Sequence, residues 1–167
     1  MSDAQKYTVF YGAQCYREIA DLLRALDDTR PMTAALLERP GGQAYGALDV
    51  VGINIYSGWY RGVPILEDLE RKLREVVEKG GADKPVIIGE TGAGAIYGFH
   101  DPLGRAKWSE ERQCDILTEQ LGALLSDQDL TGVFLWQFAD VQVDESWAMQ
   151  RPGTRNNKGV VDGYRRP

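Results

Sequence analysis

The sequence predicts an α/β chain in which parallel strands alternate with helices, about half of a (β/α)8 TIM barrel. Three observations carry that expectation. Apolar runs such as Val86-Ile87-Ile88 and Gly132-Val133-Phe134-Leu135-Trp136 do not alternate with polar residues, the pattern of parallel strands buried on both faces. Helically periodic stretches separate these runs. The chemically distinctive residues stand at the C-terminal ends of the runs, namely Asn54 and Tyr56, Glu90, and Trp136, which is the polarity of a barrel whose site is built at that face. An open doubly wound sheet shares this polarity, but the chain has no phosphate-binding glycine fingerprint to favour it. Four strand candidates and 167 residues fall short of the eight strands and roughly 250 residues of a complete barrel.

The elements follow in order. The first dozen residues, with Tyr7, Val9, Phe10 and Tyr11, read as a short extended piece. From Gly12 the pattern is helical, with Cys15, Ile19, Leu22, Leu23 and Leu26 forming one apolar stripe flanked by Arg17, Glu18, Asp21 and Arg24. Asp27 to Pro31 stops this helix, because the residue before a proline is pushed out of the α region. Met32 to Leu37 is a strand with Glu38 at its end, and Arg39-Pro40-Gly41-Gly42 is a loop. Leu48 to Tyr56 is the second strand, where Asn54 inside an apolar run needs hydrogen-bond partners or faces a site. Ser57 to Gly62 then sets Trp59 and Tyr60 on a flexible backbone. A helix from about Ile65 to Lys79 turns Leu66, Leu69, Leu73, Val76 and Val77 to one side and ends at Gly80-Gly81.

Pro85 opens the third strand, and Gly89 and Gly92 loosen the backbone around Glu90, so one glutamate is delivered to the point where a buried strand ends. An ionised carboxylate there is costly to desolvate unless it is hydrogen-bonded or used; an ordinary strand-to-loop turn is the competing reading. The loop from Thr91 to Trp108 has the length at which loops in compact domains are functional or mobile. Ser109 is an N-cap for the next helix, with Glu110 and Glu111 in its first turn and Leu117, Leu121, Leu124 and Leu125 as its buried stripe. Gly132 to Trp136 is the fourth strand. The last thirty residues lack a period and carry Arg151, Arg155, Lys158, Arg165 and Arg166, a basic excess whose ordinary reading is a solvated surface.

A hydrophobic content of 43% supports one domain, residues 1–167, with its own core. The net charge of −6 argues against nucleic acid and anionic membrane as partners, and no apolar run is long enough to span a bilayer. Met1 to Lys6 does not lead a basic segment into an apolar one, so no secretory signal is expected. Cys15 and Cys114 lie on helix-patterned stretches and form no metal-like cluster with His100. They read as reduced thiols of a cytoplasmic protein, with neither a metal nor any cofactor expected.

Several motifs in a fixed order then point to a family. They are Leu26-Asp27-Asp28-Thr29-Arg30-Pro31, the run from Asp49 to Tyr60, the Glu90 strand, Trp108-Ser109-Glu110-Glu111, Trp136-Gln137-Phe138-Ala139-Asp140 and Asn156-Asn157-Lys158-Gly159. On these, from about Tyr16 to Pro167, the chain resembles the C-terminal half of the catalytic barrel of the β-glucuronidases of glycoside hydrolase family 2, about its last four βα units. The resemblance implies retaining hydrolysis of a β-glucuronide. In that chemistry one carboxylate attacks the anomeric carbon, and a second, about 5 to 5.5 Å away, protonates the leaving oxygen and then activates water. By resemblance Glu90 is the nucleophile, Asn54, Tyr56 and Tyr60 line the pocket and orient nucleophile and sugar, and Trp136 belongs to the pocket floor. Asn156 and Lys158, as Asn-x-Lys, match the element that grips the sugar's carboxylate. An ammonium and an amide are suitable donors to that group. For each aromatic taken alone, core packing is the competing reading.

The chain also departs from the family. The acid/base glutamate there follows an asparagine, and no Asn-Glu pair occurs in these 167 residues. The jelly-roll and immunoglobulin-like domains and the first four barrel strands have no counterpart either. Thr91 stands where an aromatic is usual and Gln137 where asparagine is common, and the arginine expected before Asn-x-Lys is Arg151 or Arg155. Three functions therefore stay open. The chain is the nucleophile-bearing half of a β-glucuronidase, or a uronate-binding remnant that does not hydrolyse, or an independent hydrolase that recruits Glu38 or Asp140 as its acid. Two unpaired strand edges, at Met32 to Leu37 and at Gly132 to Trp136, predict a homodimer or a complementing barrel half. No motif separates glucuronide from galacturonide or specifies the aglycone.

Overall fold

A computed structural model describes residues 3–36, 44–143 and 152–167. Helix α1 spans Asp3–Leu26, β1 Thr33–Leu36, α2 Ala44–Ala47, β2 Val50–Asn54, α3 Ile65–Val76, β3 Val86–Thr91, α4 Glu110–Ser126 and β4 Leu130–Leu135. The four strands form one parallel sheet in the order β1-β2-β3-β4, with α3 and α4 as the crossovers between β2, β3 and β4. This is the expected partial barrel. Its core gathers Val51, Ile53 and Ile55 from the β2 segment, Ile88 from β3, Leu69 and Val76 from α3, and Leu124 from α4. Helices cover one face of these non-alternating apolar strands, whereas parallel sheets are ordinarily covered on both.

Helix α1 differs from expectation in two ways. It continues through Gly12 back to Asp3, so the first described residues are helical and not extended. A glycine inside a helix costs only about 0.5 to 1 kcal/mol, too little to end one by itself. Its apolar stripe is also turned away from the sheet: Cys15, Ile19, Leu22 and Leu23 are exposed and Leu26 is 76% exposed. The side that meets the core is Tyr16 and Ala20, and four residues further on Arg24 donates to the carbonyl of Ala47 and to the carboxylate of Asp49. The expected stop after this helix is present. The Asp27 carboxylate accepts from the amide and hydroxyl of Thr29 and from Arg30, bonds that hold it below its ordinary value.

Helix α3 buries Ile65, Leu69 and Val76, while Leu66 and Val77, expected on the buried side, are exposed. A π-helical turn, Val77–Gly81, closes it, with Gly80 at a φ of 88° that favours glycine. Helix α4 is capped as expected, the Ser109 hydroxyl accepting from the amide of Arg112 at 3.2 Å. Its buried stripe is Ile116, Gln120 and Leu124. Leu117 and Leu121 are half-buried, and Leu125 is exposed. The apolar run of β4 suits burial on both faces, but β4 is the expected edge of the sheet, and Phe134, on the face away from Val133 and the core, is 60% exposed because no described strand covers that face.

The final segment, expected to be irregular, contains a small antiparallel pair, β5 (Val141–Gln142) with β6 (Arg155–Asn156). Glu38 and Arg151, both named as sequence candidates, lie outside the described residues. Cys15 and Cys114 are free and exposed. Among the described residues no helix is long and apolar enough to cross a membrane, and no group of three metal-ligating side chains occurs.

Candidate active site

The site forms where β2, β3 and β4 end. Between β2 and β3 the register slips at Ile53/Asn54, so Asn54 comes to lie opposite Glu90, and the amide of Ile55 donates to the Glu90 carbonyl at 2.8 Å. Such an irregularity re-aims side chains at the end of a ladder. Beyond it the Tyr56 hydroxyl donates to Glu90 Oε2 at 2.7 Å, and the Glu90 side chain is half-buried at the sheet's C-terminal end. Asn54 is buried, and its Oδ1 has no hydrogen-bond partner among the described residues. An acceptor left this way is expensive in a core and cheap in a site where a ligand supplies the donor.

Lys158 stands on the other side of Tyr56. Its ammonium lies 5.2 Å from the ring centre of Tyr56, 4.8 Å from that of Trp59 and 4.4 Å from that of Tyr60, and the residue is 2% exposed. The three rings meet edge to face, Tyr56 with Tyr60 at 5.3 Å and Trp59 with Tyr60 at 6.3 Å. Electron-rich faces around an ammonium offset part of its desolvation. Tyr56 thus touches an anion through its hydroxyl and a cation through its ring. Tyr60 remains more than half exposed, so the aromatic box opens outward.

A dense backbone arrangement holds the Asn156 to Lys158 loop against the strand ends. The amide of Gln137 donates to the Lys158 carbonyl at 3.0 Å, the side-chain amide of Gln137 to the Asn156 carbonyl at 3.2 Å, and the amide of Ala95 to the Asn157 carbonyl at 2.8 Å. Gln113 on α4 donates to the carbonyls of Ala93 and Gly159, both at 3.0 Å. Asp140 accepts from the amide of Gly159 at 2.8 Å and from the side chain of Asn157 at 3.3 Å. Burial nevertheless pushes its carboxyl above the ordinary value, against the lowering effect of those bonds. Asp140, considered above as an acid, thus has both carboxylate oxygens bonded to the loop.

Trp136 is joined to the same end of the sheet. Its amide donates to the Thr91 carbonyl at 2.7 Å, the Trp136–Gln137 peptide is cis, and the indole is partly exposed. Gly92 passes so close that a Cβ there would lie 2.2 Å from the Trp136 carbonyl oxygen. All seven expected site residues, Asn54, Tyr56, Tyr60, Glu90, Trp136, Asn156 and Lys158, thus lie on the connected strand ends and loops of one face. Sequence reasoning noted Trp59 without giving it a role, and passed over Gln113 and Gln120. Trp59 belongs to the run from Asp49 to Tyr60, but the two glutamines gave no sign, because polar residues on a helix read as its solvent side.

Chemically, the arrangement offers a carboxylate oriented by a phenol, with an aromatic-boxed cation and amides beside it. That set suits a ligand with a reacting centre near Glu90 and a negative charge near Lys158. A family described as glycosyl hydrolases family 2, TIM barrel domain, matches residues 9–153. The β-glucuronidase of Sus scrofa is 32% identical over 166 residues, covering 93% of this chain and 24% of that protein. The crystal structure of a GH2 β-galacturonidase from Eisenbergiella tayi bound to galacturonate is 45% identical with a TM-score of 0.90, covering 94% of this chain and 28% of that one. The β-D-glucuronidase of Dictyoglomus thermophilum is 31% identical with a TM-score of 0.74, covering 93% and 27%. The chain thus spans about a quarter of the length of these relatives. By the match over most of its length, with the four parallel strands as part of the barrel, this chain belongs to glycosyl hydrolase family 2.

Proposed function

We propose that this chain carries the nucleophile and the uronate-recognition half of a retaining glycosidase acting on β-linked hexuronides. The observation that supports this best is Tyr56, which holds the Glu90 carboxylate at 2.7 Å while its ring faces the Lys158 ammonium. In this reading Glu90 attacks the anomeric carbon and Tyr56 orients it. Asn54 and Tyr60 contact the sugar, and Trp136 forms the floor beneath it. Asn156 and Lys158 take the sugar's carboxylate through charge-assisted hydrogen bonds. The second carboxylate, which protonates the leaving oxygen, comes from polypeptide outside these 167 residues, consistent with the absence of an Asn-Glu pair within them. The same complement supplies the strands that close the barrel, whether as the other barrel half or, for the fold alone, as a second copy.

The galacturonidase at 45% identity favours a β-galacturonide as the second substrate to test beside the β-glucuronide. The experiment assays chromogenic glucuronides and galacturonides with the 167-residue chain alone and mixed with a barrel half that bears an Asn-Glu pair. The chain alone is expected to turn over weakly or not at all, since general acid catalysis is commonly worth about 10²- to 10⁴-fold. Mixing restores turnover, and Glu90→Gln abolishes it. Robust turnover by the chain alone that survives Glu90→Gln would overturn the assignment.

A further inference from the structure

We infer that Gln120 is a positioning residue, a buried amide that bridges the segment carrying Glu90 to the segment carrying Tyr56 and so sets how the Tyr56 hydroxyl meets the Glu90 carboxylate. Gln120 sits on α4 between Ile116 and Leu124 in the buried stripe and is 1% exposed. Its Oε1 accepts from the hydroxyl of Thr91 at 2.9 Å, and its Nε2 donates to the carbonyl of Ser57 at 2.7 Å. Thr91 follows Glu90 in the chain, and Ser57 follows Tyr56. Joined to the 2.7 Å bond from Tyr56 to Glu90, these contacts close a ring: Glu90, Thr91, Gln120, Ser57, Tyr56 and back to Glu90.

The bridge lies where the backbone ladder stops dictating register. The β2/β3 pairing shifts at Ile53/Asn54 and the β3/β4 pairing between Ile88 and Thr91, so the strand ends that carry the site are not held in step by regular ladders. A leucine at position 120 would bury more apolar surface. An amide is suited to that position by its two bonds, because a buried polar group without partners is destabilising. Thr91 is fully buried, and the bridge is anchored further, since the Ser57 hydroxyl donates to Asp68 on α3 at 2.6 Å and Arg71 donates to the same carboxylate. Burial pushes the Asp68 carboxyl up, but these bonds outweigh it and hold the group below its ordinary value. Two crossover helices thus hold these strand ends, α4 through the Gln120 amide and α3 through the Asp68 carboxylate on Ser57.

The inference rests on the proposed role of Glu90 only for its kinetic readout. The first measurement needs no activity. In the 167-residue chain with 13C-labelled tyrosine, the Cζ resonance of Tyr56, assigned by its loss in Tyr56→Phe, is compared with and without Glu90→Gln. The difference reports the phenol-to-carboxylate bond. In Gln120→Leu that difference is expected to fall by about half or more, as coupling within one hydrogen-bond network does when a member is removed. A folded Gln120→Leu protein with the difference unchanged would overturn the inference. Should Gln120→Leu fail to fold, Thr91→Val, which removes one end of the bridge, is read in the same way with the same two outcomes. The second measurement traps the nucleophile with an activated uronide and follows Glu90 by mass spectrometry. Gln120→Leu should slow trapping about 10- to 100-fold with unchanged apparent affinity, the signature of misplacement and not of lost binding. A wild-type chain that is not trapped at Glu90 counts against the nucleophile assignment, and the Tyr56 resonance still decides the bridge.

Discussion

At the scale of single residues, Lys158 shows how far environment can move a side chain from its ordinary reading. In the sequence it belongs to a basic run with the look of a solvated surface, yet it is buried among Tyr56, Trp59 and Tyr60. A buried ammonium is desolvated, and aromatic faces compensate in part. If the Asn156 to Lys158 loop reads a uronate, Lys158→Ala and Asn156→Ala should each weaken glucuronate binding relative to glucose by roughly 1.5 to 3 kcal/mol, the range for a hydrogen bond to a charged group. Calorimetric titration with both sugars checks this. Equal loss for glucose and glucuronate would mean that the loop only shapes the pocket. That Glu90, Tyr56 and the Asn-x-Lys pair would come together at one face was legible because their motifs are ordered along the chain. The burial of Lys158 was not, since it depends on rings brought in from a strand end about one hundred residues earlier.

At the scale of elements, legibility followed the length of the apolar pattern. The strands from Val50 and from Val86 announce themselves by β-branched runs that need cover on both faces, and the sheet bears them out. Phe134 is the exception to burial that a half barrel entails, since it lies on the expected edge strand and has no opposite strands to cover it. Helix α4 was misread by one position. Leu117, Leu121, Leu124 and Leu125 fit a helical period, but Ile116, Gln120 and Leu124 fit it equally, and a glutamine at a core position is passed over by any hydrophobic count. Glycines separate by what surrounds them. A Cβ at Gly92 would meet the Trp136 carbonyl oxygen at 2.2 Å, a backbone atom that cannot rotate away, whereas at Gly132 the nearest heavy atom is Ile87 Cγ2 at 3.6 Å. Gly92→Ala is therefore expected to destabilise the chain by roughly 1 to 3 kcal/mol through forced separation of β3 and β4. Gly132→Ala should lie within about 1 kcal/mol of the parent, because its Cβ meets only ordinary van der Waals contact. Urea unfolding of both variants makes the comparison, and equal loss at the two positions would show that the close approach at Gly92 is not what holds the strand ends together.

At the scale of the whole molecule, apolar surface is left at both ends of the sheet. At one end is the α1 stripe of Ile19, Leu22, Leu23 and Leu26; at the other are β4 and its neighbours, with Phe134, Phe138 and Leu125 exposed. Edge strands with free backbone groups and apolar side chains pair or aggregate unless something blunts them. Neither edge is blunted here by proline or by a run of charge: β1 reads Thr-Ala-Ala-Leu and β4 reads Leu-Thr-Gly-Val-Phe-Leu. Because all four strands are parallel, a two-fold axis along the barrel axis would bring β1 of one copy beside β4 of the other with strand direction preserved, and would satisfy both edges at once. The 167-residue polypeptide by itself is thus expected to sediment as a dimer or larger species at micromolar concentration. Phe134→Lys, which places a charge on the β4 edge, should shift it towards monomer. A polypeptide bearing the complementary barrel half should compete for the same edges and dissolve the self-association. The opposite finding, a soluble and cooperatively folding monomer whose sedimentation ignores both Phe134→Lys and the added half, would mean that four βα units suffice for this fold and that closing the barrel serves only the chemistry.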